Sequence, residues 1–142
     1  MRFWDTSAVV PLIVEEELSA LARTWIQEDD EVALWALSRL EMASAIERRA
    51  REGLLDPAQR RTALRRVAAL ADAAHEVTDL LAVRTKAVAL VARHAIRAAD
   101  AAQLAAALLL ADPDPASLTV VVLDHRLAEA AAREGLDIVT DG

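Results

Sequence analysis

The segment Leu118-Thr119-Val120-Val121-Val122-Leu123 constrains this chain more than any other. Three adjacent valines cannot alternate one apolar face with one wet face. They suit a strand covered on both sides, as in a parallel sheet flanked by helices. The rest of the chain agrees. Short β-rich runs at Arg2 to Asp5, Val32 to Ala36, His75 to Thr78 and Asp137 to Thr140 alternate with longer Ala/Leu patterns of helical period. The expectation is an α/β fold, with a central and mainly parallel sheet of four to five strands.

Helices are predicted from about Ser7, interrupted near Pro11, and from Glu15 to about Glu28. Ser38 is read as the cap of the next, with Glu41 in the capping-box position and Gly53 near its end. Asp56-Pro57 opens a helix to about Ala74. Others run from Asp79 to about His94, Ala98 to Ala111, and Asp124 to Glu134. Asp112-Pro113-Asp114-Pro115 is a loop, because neither proline continues a helix.

At 142 residues, 1–142 reads as one domain with room for a real core. That core is mostly aliphatic, because Phe3, Trp4, Trp25 and Trp35 are the only aromatic residues. With no Cys, disulfides and thiolate chemistry are excluded and a cytoplasmic protein is expected. Asp5 comes early and Val9 to Val14 is short, so no signal peptide is expected. Leu104 to Ala111 falls well below the roughly 18 apolar residues a membrane span needs.

The net charge of −7 argues against a nucleic-acid partner until its distribution is read. Between Arg39 and Arg66, eight Arg oppose four acids, which makes this stretch basic and the remainder still more acidic. Two readings stand: a local patch for phosphate, or two solvated helices rich in Arg.

Four acids occupy telling positions. Asp5 ends the first strand and Asp124 the strongest one, where an open parallel sheet presents its ligand crevice. Asp100 is in register with Leu104 and Leu108, so its carboxylate shares the apolar stripe of its helix. Glu41 opens the helix after the second strand. Each has an ordinary reading as a helix cap, worth ~1 kcal/mol. Asp5 and Asp124 would cap the helices that follow them, Glu41 would pair with Ser38, and Asp100 with Gln103. Jointly they would repel one another at one sheet edge, which calls for a cation or for protonation. Oxygen donors without Cys or a His pair favour a hard ion, Mg²⁺ or Mn²⁺, and such an ion serves phosphodiester hydrolysis.

Four blocks carry a family resemblance: Phe3-Trp4-Asp5-Thr6-Ser7-Ala8, Ser38-Arg39-Leu40-Glu41-Met42-Ala43-Ser44-Ala45, Ile96-Arg97-Ala98-Ala99-Asp100-Ala101-Ala102-Gln103-Leu104-Ala105 and Val122-Leu123-Asp124-His125-Arg126-Leu127. In this order and spacing they resemble the PIN-domain toxins of toxin–antitoxin pairs, the VapC type, over nearly the whole chain. Leu123 departs from the family, which usually has a small or hydroxyl residue there. The resemblance implies a PIN-like three-layer α/β/α sandwich and an Mg²⁺-dependent endoribonuclease restrained by a co-encoded antitoxin. It implies that Asp5, Glu41, Asp100 and Asp124 form the metal site, supported by the hydroxyls of Thr6 or Ser7, in a protein that is commonly a homodimer.

Arg48, on the same helical face as Glu41, and Arg97 are the RNA-contact candidates. His125, His94 and His75 read as surface or helix-end residues, and Trp4 and Trp35 as core. An inactive module binding RNA or a partner peptide is the rival reading, weakened by the presence of all four acids. A receiver-type phosphoryl-transfer domain needs a Lys near the sheet edge, and the one Lys, Lys86, lies mid-helix.

Overall fold

The computed structural model describes residues 1–142. Five strands, β1 (Arg2–Trp4), β2 (Val32–Trp35), β3 (His75–Val77), β4 (Thr119–Val121) and β5 (Asp137–Val139), form one sheet in the order β3-β2-β1-β4-β5. Every pairing is parallel. Seven helices surround it: α1 (Thr6–Ile13), α2 (Ser19–Glu28), α3 (Ser38–Arg51), α4 (Pro57–Ala73), α5 (Leu80–Arg93), α6 (Ala98–Ala111) and α7 (His125–Arg133).

The valine run behaves as its composition requires. Val120 and Val122 enter one core with Phe3, Ala33 and Trp35, under α5, α6 and α7. Val121 enters the other with Trp4 and Leu34, under α1 to α4. Adjacent residues of one strand thus feed two cores, which is what the alternation of side chains across a pleat does when both faces are covered. Trp4 and Trp35 are both buried, as expected. The sheet is a three-layer α/β/α sandwich with all five strands parallel.

Several local expectations are corrected. α1 runs unbroken through Pro11, which is buried within an eight-residue helix. Proline has no amide for the Ser7 carbonyl four residues back, so α1 continues past it with one ladder bond fewer. α2 begins at Ser19 rather than Glu15. The Ser19 hydroxyl accepts from the Glu16 amide at 2.7 Å and donates to the Val14 carbonyl at 3.1 Å, holding the intervening residues in a turn. Ser38 is not a cap: Leu37 takes that place, and Ser38 is fully buried. The capping box instead belongs to Asp56 and Gln59, at the start of α4. β4 also ends before Val122, although the Val122 amide still bonds to the Val139 carbonyl.

Candidate active site

From β1 the chain builds the sheet in one direction through β2 and β3, then returns to build β4 and β5 on the other side. This reversal opens a crevice between the carboxyl ends of β1 and β4. Asp5 directly follows β1, and its amide donates to the Val121 carbonyl at 3.0 Å. Asp124, three residues beyond Val121, precedes α7.

Ser7 ties the two sides together. Its hydroxyl donates to Asp5 Oδ2 at 2.5 Å and accepts from the amides of Leu123 and Asp124 at 2.9 and 3.2 Å. Opposite it lies a network built on Gln103, which is 1% exposed in an otherwise Ala/Leu-rich helix. Its Nε2 lies 3.0 Å from Thr6 Oγ1, 3.0 Å from Ser38 Oγ and 3.3 Å from Glu41 Oε2. Thr6 Oγ1 also donates to Glu41 Oε2 at 3.1 Å. Glu41 is therefore aimed by residues from α1 and α6, not by a capping box. Asp100 makes no capping box with Gln103 either, since Arg97 caps α6 without a side-chain bond.

The cap reading and the site reading prove compatible for two acids. Asp5 Oδ2 accepts from the Ser7 amide at 3.0 Å, and Asp124 Oδ1 accepts from the Leu127 amide at 3.0 Å. Each carboxylate uses one oxygen as a cap and keeps the other without a protein partner. Glu41 does likewise, because Thr6 and Gln103 both engage Oε2.

Burial pushes the Asp5 carboxyl up to about 6, helped by the charges of Asp100 and Glu41 and opposed by the bonds from Ser7. Burial also raises Glu41; bonds from Gln103 and Thr6 oppose this and Asp100 adds to it. Asp100 is raised by burial and then by Asp124, with the Arg97 charge opposing. Asp100 thus acts on Asp5 and Glu41 and feels Asp124. It is the hub of a cluster whose members disfavour one another's charge.

A groove of about 720 Å³ opens at this end, lined by Asp100, Asp124, His125, Arg97, Arg126 and Leu123 among others. His125 is exposed and engages Asp141 at 2.8 Å. Of the basic candidates, Arg97 lines the groove and Arg48 does not. Arg48 lies about 10 Å further along α3 than Glu41. Three of the eight arginines of the basic stretch are answered by its own fold: Arg39 pairs with Asp72, Arg49 with Glu16 and Arg60 with Glu47. His94 bonds to Glu134 at 2.8 Å, away from the four acids.

The donor set fits a hard divalent cation: carboxylate oxygens left without partners, hydroxyls beside them, and no thiolate. No three carboxylates close on one point as a ready-made cage. Mg²⁺ does not need one, since it binds through one or two carboxylates and keeps several waters.

The PIN domain family model matches residues 2–133. The chain belongs to the PIN domain family. PIN domains are in general nucleases that use divalent metal ions, hydrolases of phosphodiester bonds. The fold is similar to FitAB bound to the IR36 DNA fragment, at 17% identity and a TM-score of 0.65, covering 99% of this chain and 94% of that one. It is also similar to FitAcB from Neisseria gonorrhoeae, at 18% identity and a TM-score of 0.66, covering 97% and 96%. A third likeness is PAE2754 from Pyrobaculum aerophilum, at 23% identity and a TM-score of 0.64, covering 97% and 83%. No curated protein matches the chain. No helix is long and apolar enough to cross a membrane.

Two residues of the site were not assigned to it by sequence reasoning. Ser38 and Gln103 had been given capping roles. The available signal was a lone amide side chain in the Ala/Leu pattern, three residues after Asp100.

Proposed function

We propose that this PIN domain, spanning 1–142 as one unit, is an Mg²⁺-dependent endoribonuclease and the toxin of a toxin–antitoxin pair. One observation carries the reading. Four carboxylates gather at the switch point of the sheet, and three of them spend one oxygen on protein bonds while keeping the other free. No lysine or arginine forms an ion pair with any of them, whereas eight other acids each pair with a cationic group.

Asp5, Asp100, Glu41 and Asp124 would hold the ion, Mg²⁺ or Mn²⁺. When bound, it supplies Lewis acidity, an activated water and charge stabilisation at the leaving oxygen. The chain's own residues prepare for it. Ser7 holds the Asp5 carboxylate against the turn after β4, while Thr6 and Gln103 fix the direction of Glu41. Cation charge also lowers the mutual repulsion of the acids, so a polyanionic RNA can approach. The antitoxin partner and a homodimeric assembly follow from the likeness to VapC-type toxins.

Purified protein incubated with RNA tests this directly. Cleavage is expected with Mg²⁺ and not with EDTA, and is lost in Asp5→Asn and Asp100→Asn. Undiminished cleavage in both variants would overturn the metal site. Growth arrest on expression, relieved by the product of the adjacent reading frame, is the expected toxin behaviour.

A further inference from the structure

The acids explain where a phosphodiester would be cut but not what holds the strand there. A polyanion drawn to four carboxylates on a chain of net charge −7 needs cations set beside the acids. The Arg-rich hairpin of α3 and α4 does not supply them. Arg39, Arg49 and Arg60 pair with Asp72, Glu16 and Glu47, Arg66 donates to the Ile13 carbonyl, and no arginine of the hairpin lines the groove.

A second groove, of about 330 Å³, abuts the first and shares Ala95, Ile96 and Arg126 with it. The two form one continuous track from Asp100 and Asp124 along α7. The cations on this track fall into two kinds. Arg133 is tied to Glu129 at 2.7 Å and His94 to Glu134 at 2.8 Å, so both are already answered. Arg97 and Arg126 line the groove beside the acids and enter no ion pair. Arg126 alone of these two faces both cavities. It stands in the first turn of α7, two residues after Asp124, and is therefore carried away from that carboxylate by the helical turn.

We propose that Arg126 is a phosphate-binding residue that holds single-stranded RNA in this track, so that the strand leaves the acidic crevice along α7. The inference rests on RNA being the ligand in the reading above. A guanidinium offers a planar pair of donors to a phosphate and stays charged at every physiological pH. Ala95 and Ile96 give the track an apolar lining for sugars and bases between the charged points. Arg126 contacts a phosphate beyond the bond that is broken, so it contributes to binding rather than to the chemical step.

The probe is a fluorescein-labelled 12-nucleotide single-stranded RNA, titrated by anisotropy in EDTA at several NaCl concentrations. Arg126→Ala is expected to weaken binding about tenfold. It should also flatten the plot of log affinity against log salt by about 0.7, one phosphate contact on a single strand. Arg126→Lys is expected to restore the salt slope, and Arg61→Ala, on α4, to change neither quantity. With Mg²⁺ present, Arg126→Ala is expected to raise KM and leave kcat in place, as loss of uniform binding does.

Arg126 is exposed and unpaired, so its replacement leaves the fold intact, and an unchanged melting temperature checks this. Wild-type affinity and salt slope in Arg126→Ala would overturn the proposal, and so would an equal loss in Arg61→Ala. Displacement of the RNA by an acidic peptide at equal charge concentration would overturn it too, by assigning the track to protein. Arg126-dependent binding without any cleavage by the wild type sinks the nuclease reading instead, and leaves the RNA track standing.

Discussion

Glu41 and Glu47 stand six residues apart on α3, and their carboxyls shift in opposite directions. Glu47 meets both Nε and Nη2 of Arg60, at 2.9 and 2.7 Å, and is held below the usual glutamate range by that pair. Glu41 meets only a hydroxyl and an amide, and burial raises it. The contrast extends over the molecule. Glu15, Asp29, Glu134 and Asp141 are lowered by partners, while Asp5 and Asp100 join Glu41 in being raised. The acids outside the crevice whose carboxyls shift are answered by a partner in the fold, and the shifted ones within it are left for something the fold does not supply. Clusters of this kind mark functional sites.

The contrast breaks most sharply if the crevice acids can be neutralised without consequence. Asp5→Asn and Asp100→Asn are each expected to lower kcat for RNA cleavage by more than the roughly 100-fold that loss of a supporting partner causes. Single-turnover cleavage under Mg²⁺ checks this.

Gln103→Leu comes next, because it leaves Glu41 held by Thr6 alone and Ser38 without its partner. A fall of about 10- to 100-fold in activity is expected. Stability should fall by about 1–3 kcal/mol, measured by urea unfolding, for the buried polar groups left unsatisfied.

A third test uses pH. Asp5 is raised from 3.8 to about 6, so the folded state binds its proton more tightly than the unfolded chain does. Its ionisation costs the fold roughly 3 kcal/mol at neutral pH, and this is recovered as pH falls through 6 towards 4. In EDTA the melting temperature is therefore expected to rise between pH 7 and pH 5. Asp5→Asn should remove most of that rise, and Mg²⁺ at pH 7 should replace it by binding the folded state. Below about pH 4 the paired acids, lowered in the fold, protonate and stability declines.

The smallest effect belongs to the other side of the comparison. Arg60→Ala removes the partner of Glu47 at the surface and is expected to move the melting temperature by no more than about 3 °C. Cleavage should be unchanged.

Much of the site was legible because it depends on local rules. Asp5 and Asp124 follow strands whose composition announces them, and strand ends face the crevice of a parallel sheet. Asp100 betrayed itself by sitting on an apolar stripe. Glu41 was read from its place at the start of the helix after the second strand, and its ordinary reading, a capping box with Ser38, is realised instead at Asp56 and Gln59. A box is read from residues three apart. The bonds that in fact orient Glu41 join it to Thr6 and Gln103, which lie 35 and 62 residues away.

Sequence alone determined the layers, because three consecutive valines require helices on both faces, and it determined which acids stand at strand ends. Only the tertiary structure decided which of them would be left without cations. Pairing is a matter of distance across the fold, and no periodicity records it. Arg39, Arg49 and Arg60 could have served phosphate, but packing of α3, α4 and the preceding turns set each against its own carboxylate. Arg97 and Arg126, at the starts of α6 and α7 on the other face of the sheet, are left without an ion pair beside Asp100 and Asp124.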